Sequence, residues 1–143
     1  IWAMNAGQVS WEQLSSRISD YLHRAGTSES STKFTFSGGE SLSPDFRFTS
    51  ADGIQIYRIL QEAIQNAMKY GEATEVKVNL RQSENNIILE IIDNGKGFDE
   101  AKIIPGNGLF NMRKRGEEIG GKLHIKSEIG KGTVVVLNWP FSD

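Results

Sequence analysis

The chain has 143 residues, enough for one domain with a sizeable core, and its 38% hydrophobic content is that of an ordinary globular protein. Its net charge is −2 with both signs mixed along the chain, which argues against a basic, phosphate-neutralising stripe and against DNA or RNA as partners. There is no cysteine, so disulfides, thiolate metal sites and thiol nucleophiles are excluded together.

The opening Ile1-Trp2-Ala3-Met4-Asn5 is too short for a signal-peptide core, and no apolar run approaches the roughly 20 residues that span a bilayer. Because the chain starts at Ile1, it reads as an internal piece of a longer protein. The piece is expected to be soluble and cytoplasmic, in a parent that a membrane could hold.

Ser10-Trp11-Glu12-Gln13 has the form of a capping box, which starts a helix expected to run to about Arg24 and to end at Gly26. Trp11, Leu14, Ile18, Tyr21 and Leu22 recur along it at helical spacing. Lys33–Ser37 alternates like a strand, and Pro44–Thr49 reads as a connector. From Ala51 or Asp52 to Tyr70 runs the longest periodic segment, with a wide apolar stripe closed by Gly71. Glu75–Gln82 and Asn86–Asp93 then read as a hairpin around Ser83-Glu84-Asn85, the second strand being apolar enough for the sheet centre. Gly95–Gly108 has no periodicity and is expected to be a loop. A helix from about Leu109 to Ile119 follows, closed by Gly120-Gly121. Leu123–Ser127 and Thr133–Trp139 make a last strand pair that Pro140 stops. Helices and strands in this order predict an α/β (α+β) two-layer sandwich: one mixed sheet with helices on one face.

Glu62, Asn66 and Lys69 stand at i, i+4 and i+7, on one narrow helix face. An acid, an amide and an ammonium can supply a proton acceptor, an oxygen for a hard divalent cation and a phosphate contact. A solvated helix face explains the trio at least as well. Asp93-Asn94-Gly95-Lys96-Gly97 places a carboxylate at a strand end, where ligands bind in α/β folds, and its glycines allow close approach of a flat ring. A plain Asn-Gly turn is the equal alternative. Gly106-Asn107-Gly108-Leu109 precedes a helix, whose free N–H groups suit an anion, or is simply a helix-entry cluster. Gly130-Lys131-Gly132-Thr133 is a hairpin turn whose Thr133 hydroxyl could join an adenine-binding network through water.

In this order the four segments resemble the GHKL ATPase superfamily. Glu62-x-x-x-Asn66-x-x-Lys69 looks like its N box, Asp93-x-Gly95-x-Gly97 its G1 box, Gly106-x-Gly108-Leu109 its G2 box and Gly132-Thr133 its terminal Gly-Thr. Within it, Tyr57–Ala63, Gly108–Arg115, the short lid between Gly97 and Gly106, and the Ile1–Asn5 opening are closest to sensor histidine kinases that pair with NarL/LuxR-type response regulators.

The resemblance implies a Bergerat-type ATP-binding fold. It also implies the catalytic domain of a two-component histidine kinase, passing the γ-phosphoryl of Mg²⁺-bound ATP to a histidine on a dimerisation domain absent from this chain. Glu62 would be the acid associated with phosphotransfer, Asn66 the Mg²⁺ ligand and Lys69 a phosphate contact. Asp93 would read the adenine amine, Gly95 and Gly97 would shape the pocket, and Gly106, Gly108 and Leu109 would close over the phosphates, with Thr133 beside the adenine. Residues 1–25 would be the segment after the dimerisation domain plus the first helix, and 26–143 the ATP-binding domain packed with it.

The sequence departs from the family pattern where the N box usually ends Lys-His: here Tyr70 follows Lys69, offering a hydroxyl in place of an imidazole. His23 and His124 lack the acidic neighbour of a phosphoacceptor and are expected to be structural. The same motifs also allow an anti-sigma-factor-type serine kinase, against which Met112-Arg113 and Trp2 argue. A non-catalytic nucleotide-binding module is the third reading, and Glu62 and Asn66 argue against it.

Overall fold

A computed structural model describes residues 7–27, 31–39, 42, 46–102 and 108–140. The Ile1–Asn5 opening, Pro44 and Gly106 lie outside the described residues.

The capping box forms as expected. The Ser10 N–H donates to Gln13 Oε1 at 2.9 Å, and the Gln13 N–H donates back to Ser10 Oγ at 3.2 Å. Helix α1 (Trp11–Thr27) starts there, after a short strand β1 (Gln8–Ser10). It does not stop at Gly26 but runs on to Thr27, because Gly26 faces the Phe34 ring, which a Cβ would meet at 3.4 Å, so the last turn still has a surface to pack on. The connector reading of Pro44–Thr49 also needs correcting. Arg47–Thr49 is a strand, β3, paired antiparallel with β1 through Val9↔Phe48. Both partners are buried, and three-residue strands are too short to show periodicity in sequence.

Helix α2 (Ser50–Lys69) is capped by Thr49, whose hydroxyl accepts the Asp52 N–H at 3.0 Å. It ends on Asn66, whose carbonyl accepts both the Tyr70 and the Gly71 N–H, at 3.0 and 2.9 Å. Its buried stripe, Ile56, Ile59, Leu60, Ala63, Ile64 and Ala67, is the one that the periodicity outlines.

Five strands make the main sheet, in the order β2-β4-β5-β7-β6. They are β2 (Lys33–Gly38), β4 (Glu75–Ser83), β5 (Asn86–Asp93), β6 (Lys122–Glu128) and β7 (Gly132–Pro140), with α3 (Leu109–Glu118) between β5 and β6. Only β2 and β4 run parallel; the other pairs are antiparallel, and β5 is central as its apolar run predicts. One sheet face is covered. Along it run the buried rows Leu80–Leu89–Leu137–Leu123 and Val78–Ile91–Val135–Ile125, of which Ile125 is half-buried. Leu14, Ile18 and Leu22 of α1, the α2 stripe and Met112 of α3 join these strands in one core. At the end of α2 away from the pocket described below, Gln55 holds α3: its amide donates to Glu118 at 2.6 Å and its oxygen accepts from Arg115 at 2.8 Å.

Candidate functional site: a pocket at the end of the covered face

Two residues beyond the Val78–Ile91–Val135–Ile125 row, the same face carries a different kind of row: Val76–Asp93–Thr133–Ser127. Strand periodicity points these side chains inward like the hydrocarbons before them, so a carboxylate and two hydroxyls end up beneath the helices. Above them lies a pocket of about 200 Å³ between the sheet end, α2 and α3. Its polar lining includes Asn66, Tyr70, Asp93 and Thr133, and its apolar wall includes Ala63, Phe98, Leu109, Met112 and Val135. A mostly apolar cleft with a few convergent polar groups is the ordinary form of a small-molecule site.

Burial pushes the Asp93 carboxyl above the ordinary aspartate range, and hydrogen bonds from the Gly95 and Thr133 backbone offset part of that rise. The Gly95 bond measures 2.8 Å. The turn that follows is held from outside. Asn94 Oδ1 accepts the Thr74 and Glu75 N–H groups, both at 2.9 Å, and its Nδ2 donates to Thr74 Oγ1 at 2.9 Å. The Lys96 N–H reaches the Gly71 carbonyl at 2.7 Å, and its own carbonyl accepts from Gly130. Gly97 has φ +68°, and a Cβ there would run into the Glu128 carbonyl. Glycine is required at that position by the close approach of the β6–β7 hairpin, as well as by its backbone angle.

The helix trio is split by this geometry. At 100° per residue, Ala63 and Tyr70 lie about 40–60° to one side of Asn66, and Glu62 and Lys69 about 40–60° to the other. Asn66 therefore lines the pocket with Ala63 and Tyr70, whereas Glu62 and Lys69 lie outside its lining. The Glu62 carboxylate packs against Gly108, the left-handed N-cap of α3 (φ +77°), where any Cβ would overlap it. The Lys69 ammonium sits 5.3 Å from the centre of the Tyr70 ring on the exposed rim. Of the remaining predicted residues, Gly97, Leu109 and Thr133 line the pocket, and Gly95 forms its turn without lining it.

Several contributors have no signal in the sequence. Ala63 belongs to the apolar stripe of α2 and Val135 to the last strand, and Met112 enters the sequence reading only through the family resemblance; all three are core positions that face the cavity. Asn94 reads as a turn residue. Ser127 reads as an ordinary strand residue, and its contacts are taken up below. Among the described residues no group of three or more His, Cys, Asp or Glu side chains forms a metal site, and no helix is long and apolar enough to cross a membrane.

A one-face sandwich with a half-buried carboxylate under a mostly apolar slot fits a nucleotide-binding domain. The chain belongs to the histidine kinase-, DNA gyrase B- and HSP90-like ATPases, whose family model matches residues 51–143. The domain binds ATP, as that family does. Among curated relatives, the oxygen sensor histidine kinase NreB of Staphylococcus carnosus is 41% identical over 99 residues, which are 68% of this chain and 28% of NreB. The chain thus spans less than a third of that relative, and the likeness marks it as an ATPase domain of the sensor histidine kinase type. Solved structures share the fold. The ATP-binding domain of PrrB from Mycobacterium tuberculosis superposes with a TM-score of 0.74 at 22% identity, over 95% of this chain and 97% of that one. The histidine kinase domain of the blue-light activated kinase from Erythrobacter litoralis gives 0.70 at 16% identity, over 91% and 60%. These matches bear out the Bergerat-type α/β sandwich.

Proposed function

We propose that this domain is the ATP-holding half of a protein histidine kinase and passes the γ-phosphoryl group to a histidine on a dimerisation domain of the same parent. In that step the bond from the γ-phosphorus to the β,γ-bridging oxygen breaks, a P–N bond to the imidazole forms, and ADP leaves. The observation that carries the reading is the convergence of Asn66, Asp93 and Thr133, from three separate motifs, on one pocket.

Asp93 reads the adenine amine as an acceptor, while Gly95 and Gly97 keep its turn tight enough for the ring to lie flat between Met112 and the sheet. Leu109 and the α3 N-terminus at Gly108 lie on the side where the phosphates emerge, and the free N–H groups of a helix start favour that charge. Gly106 belongs to the same segment. Asn66 offers its amide oxygen to Mg²⁺. A single neutral amide is a ligand type that suits that ion, which when bound would supply neutralisation of charge on the phosphoryl oxygens. Glu62, beside the α3 N-terminus, is the acid that assists transfer, and Lys69 and the Tyr70 hydroxyl are phosphate contacts from the rim. Most of the acceleration in such a site comes from positioning and charge.

In the parent, residues 1–25 are the segment that follows the dimerisation domain together with the first helix, and 26–143 form the ATP unit that packs with that helix and works on the cytoplasmic side. The phosphohistidine then supplies a response regulator, and the resemblance of Gly108–Arg115 noted in the sequence favours the NarL/LuxR type. The test is to mix this domain with the parent's dimerisation domain and labelled Mg·ATP. Acid-labile, base-stable phosphohistidine is the expected product. Phosphoserine would replace the reading with a serine kinase, and no transfer despite ATP binding would leave a binding module.

A further inference from the structure

We propose that Ser127 is a positioning residue of the nucleotide pocket: it fixes the Phe98 backbone and takes the Thr133 proton, so that the Thr133 hydroxyl turns an acceptor toward the pocket. This rests on the ATP-binding reading above.

Ser127 ends the inward series Leu123, Ile125, Ser127 on β6, at the one position of that strand where the covered face exchanges hydrocarbon for a hydroxyl. That hydroxyl has three neighbours. It accepts the Phe98 N–H at 2.8 Å, lies 2.8 Å from Thr133 Oγ1, and lies 3.2 Å from the Gly132 carbonyl. Its backbone N–H donates to the Glu100 carboxylate at 2.6 Å, so one residue holds the 98–100 segment at both ends. Phe98 and Thr133 both line the pocket, whereas Ser127 does not. It acts through them.

Counting protons sets the polarity. A serine hydroxyl carries one proton and two lone pairs, and one lone pair is taken by Phe98. If Ser127 donated to Thr133 Oγ1, the Gly132 contact would be lost and the Thr133 proton would need another partner. If Thr133 donates to Ser127, the Ser127 proton goes to the Gly132 carbonyl, which can only accept, and all three contacts are made. Thr133 then turns lone pairs to the pocket beside Asp93, its direct sheet neighbour. The adenine amine donates to Asp93, and a water that donates both to Thr133 and to the ring nitrogen beside that amine completes the edge. Ser127 thus orients the hydroxyl that meets this water without touching the base.

The experiment compares the chain with its Ser127→Ala, Ser127→Thr, Thr133→Val and Ser127→Ala/Thr133→Val variants. ATP and GTP affinities come from calorimetry, Phe98 amide exchange from NMR, and the thermal midpoint reports folding. Ser127→Ala is expected to weaken ATP binding about tenfold, the size of one lost hydrogen bond at 1.4 kcal/mol per decade. It should also speed Phe98 exchange and leave in place the ATP-over-GTP preference, which Asp93 sets. Ser127→Thr, which keeps the hydroxyl on a β-branched side chain, should restore both the affinity and the exchange rate. The double variant should lose less than the sum of the two single losses, since part of the effect of Ser127 runs through Thr133. Unchanged ATP affinity in folded Ser127→Ala, an unchanged Phe98 exchange rate, or fully additive losses would each overturn the proposal. If Ser127→Ala does not fold, Ser127→Cys, which keeps the volume but is a poor acceptor, takes its place. Phe98 exchange needs no nucleotide, so failure of this inference is distinguishable from failure of ATP binding by the unaltered chain.

Discussion

The two ends of the covered sheet face share strands, register and helix cover, yet one is a leucine row and the other is Val76–Asp93–Thr133–Ser127. At the leucine end the helices sit down on hydrocarbon and no room is left; at the Asp93 end the side chains are shorter and polar, and a pocket of about 200 Å³ remains. The site is therefore a local exchange of residue types on an unchanged backbone lattice. Stability and binding should separate along five residues of one strand, from Leu89 to Asp93.

Leu89→Ala is the sharpest way to probe the first end. Loss of a fully buried leucine should cost about 2–5 kcal/mol in a denaturant titration, and ATP affinity of the molecules still folded should change little. A folded Leu89→Ala variant with strongly reduced affinity would erase the distinction between the ends. Gly132→Ala comes next. Its φ of +94° and the overlap of a Cβ with the Asp93 carbonyl should cost about 2–3 kcal/mol, against about 1–2 for Gly130→Ala, where φ is also positive but nothing lies within 4 Å. Equal losses at the two glycines would show that backbone angle, and not the tight hairpin over the Asp93 turn, sets the requirement.

Asn94→Ala removes three hydrogen bonds and leaves the Thr74 and Glu75 amides without that acceptor, for about 1–3 kcal/mol. Asn94→Asp keeps the acceptor and should recover part of it. If Asn94→Ala is as stable as the parent, the clamp is ornamental.

Asp93 gives a pH signature of opposite sign from the usual salt-bridged carboxylate. Its folded-state pKa is raised by burial, so the native chain holds that proton more tightly than the unfolded chain does. Its contribution to stability is fully present below the ordinary aspartate range, near about pH 4, and is lost as pH rises through the raised value. Asp93→Asn should therefore be at least as stable as the parent at neutral pH, with the difference fading toward pH 4 in thermal melts. A variant less stable than the parent at pH 7 would mean that the Gly95 and Thr133 hydrogen bonds outweigh burial. The smallest effect belongs to Lys69→Ala. An exposed ammonium over the Tyr70 ring should leave stability within about 0.5 kcal/mol of the parent.

Much of this was legible in the sequence because it rests on local rules. The Ser10/Gln13 box, the α2 stripe, the central position of β5 and the glycines of the Asp93 turn each follow from propensity, period or sterics within one segment. What escaped depends on three-dimensional packing. The β1–β3 pair is two three-residue pieces that only tertiary pairing makes into strands. The Glu62/Asn66/Lys69 face is narrow on a helical wheel, but the direction from which the sheet approaches α2 decides that Asn66 turns to the pocket while its companions flank it. Ser127 looks like any strand residue until the register puts it beside Thr133.

Calorimetric titration of Mg·ATP and Mg·GTP into the chain and into its Asp93→Asn variant tests the central claim most directly. The account predicts that the chain binds ATP in clear preference to GTP, and that Asp93→Asn, still folded, loses most of its ATP affinity. Equal affinity of the chain for the two nucleotides, or an Asp93→Asn variant that binds ATP as the parent does, would contradict it.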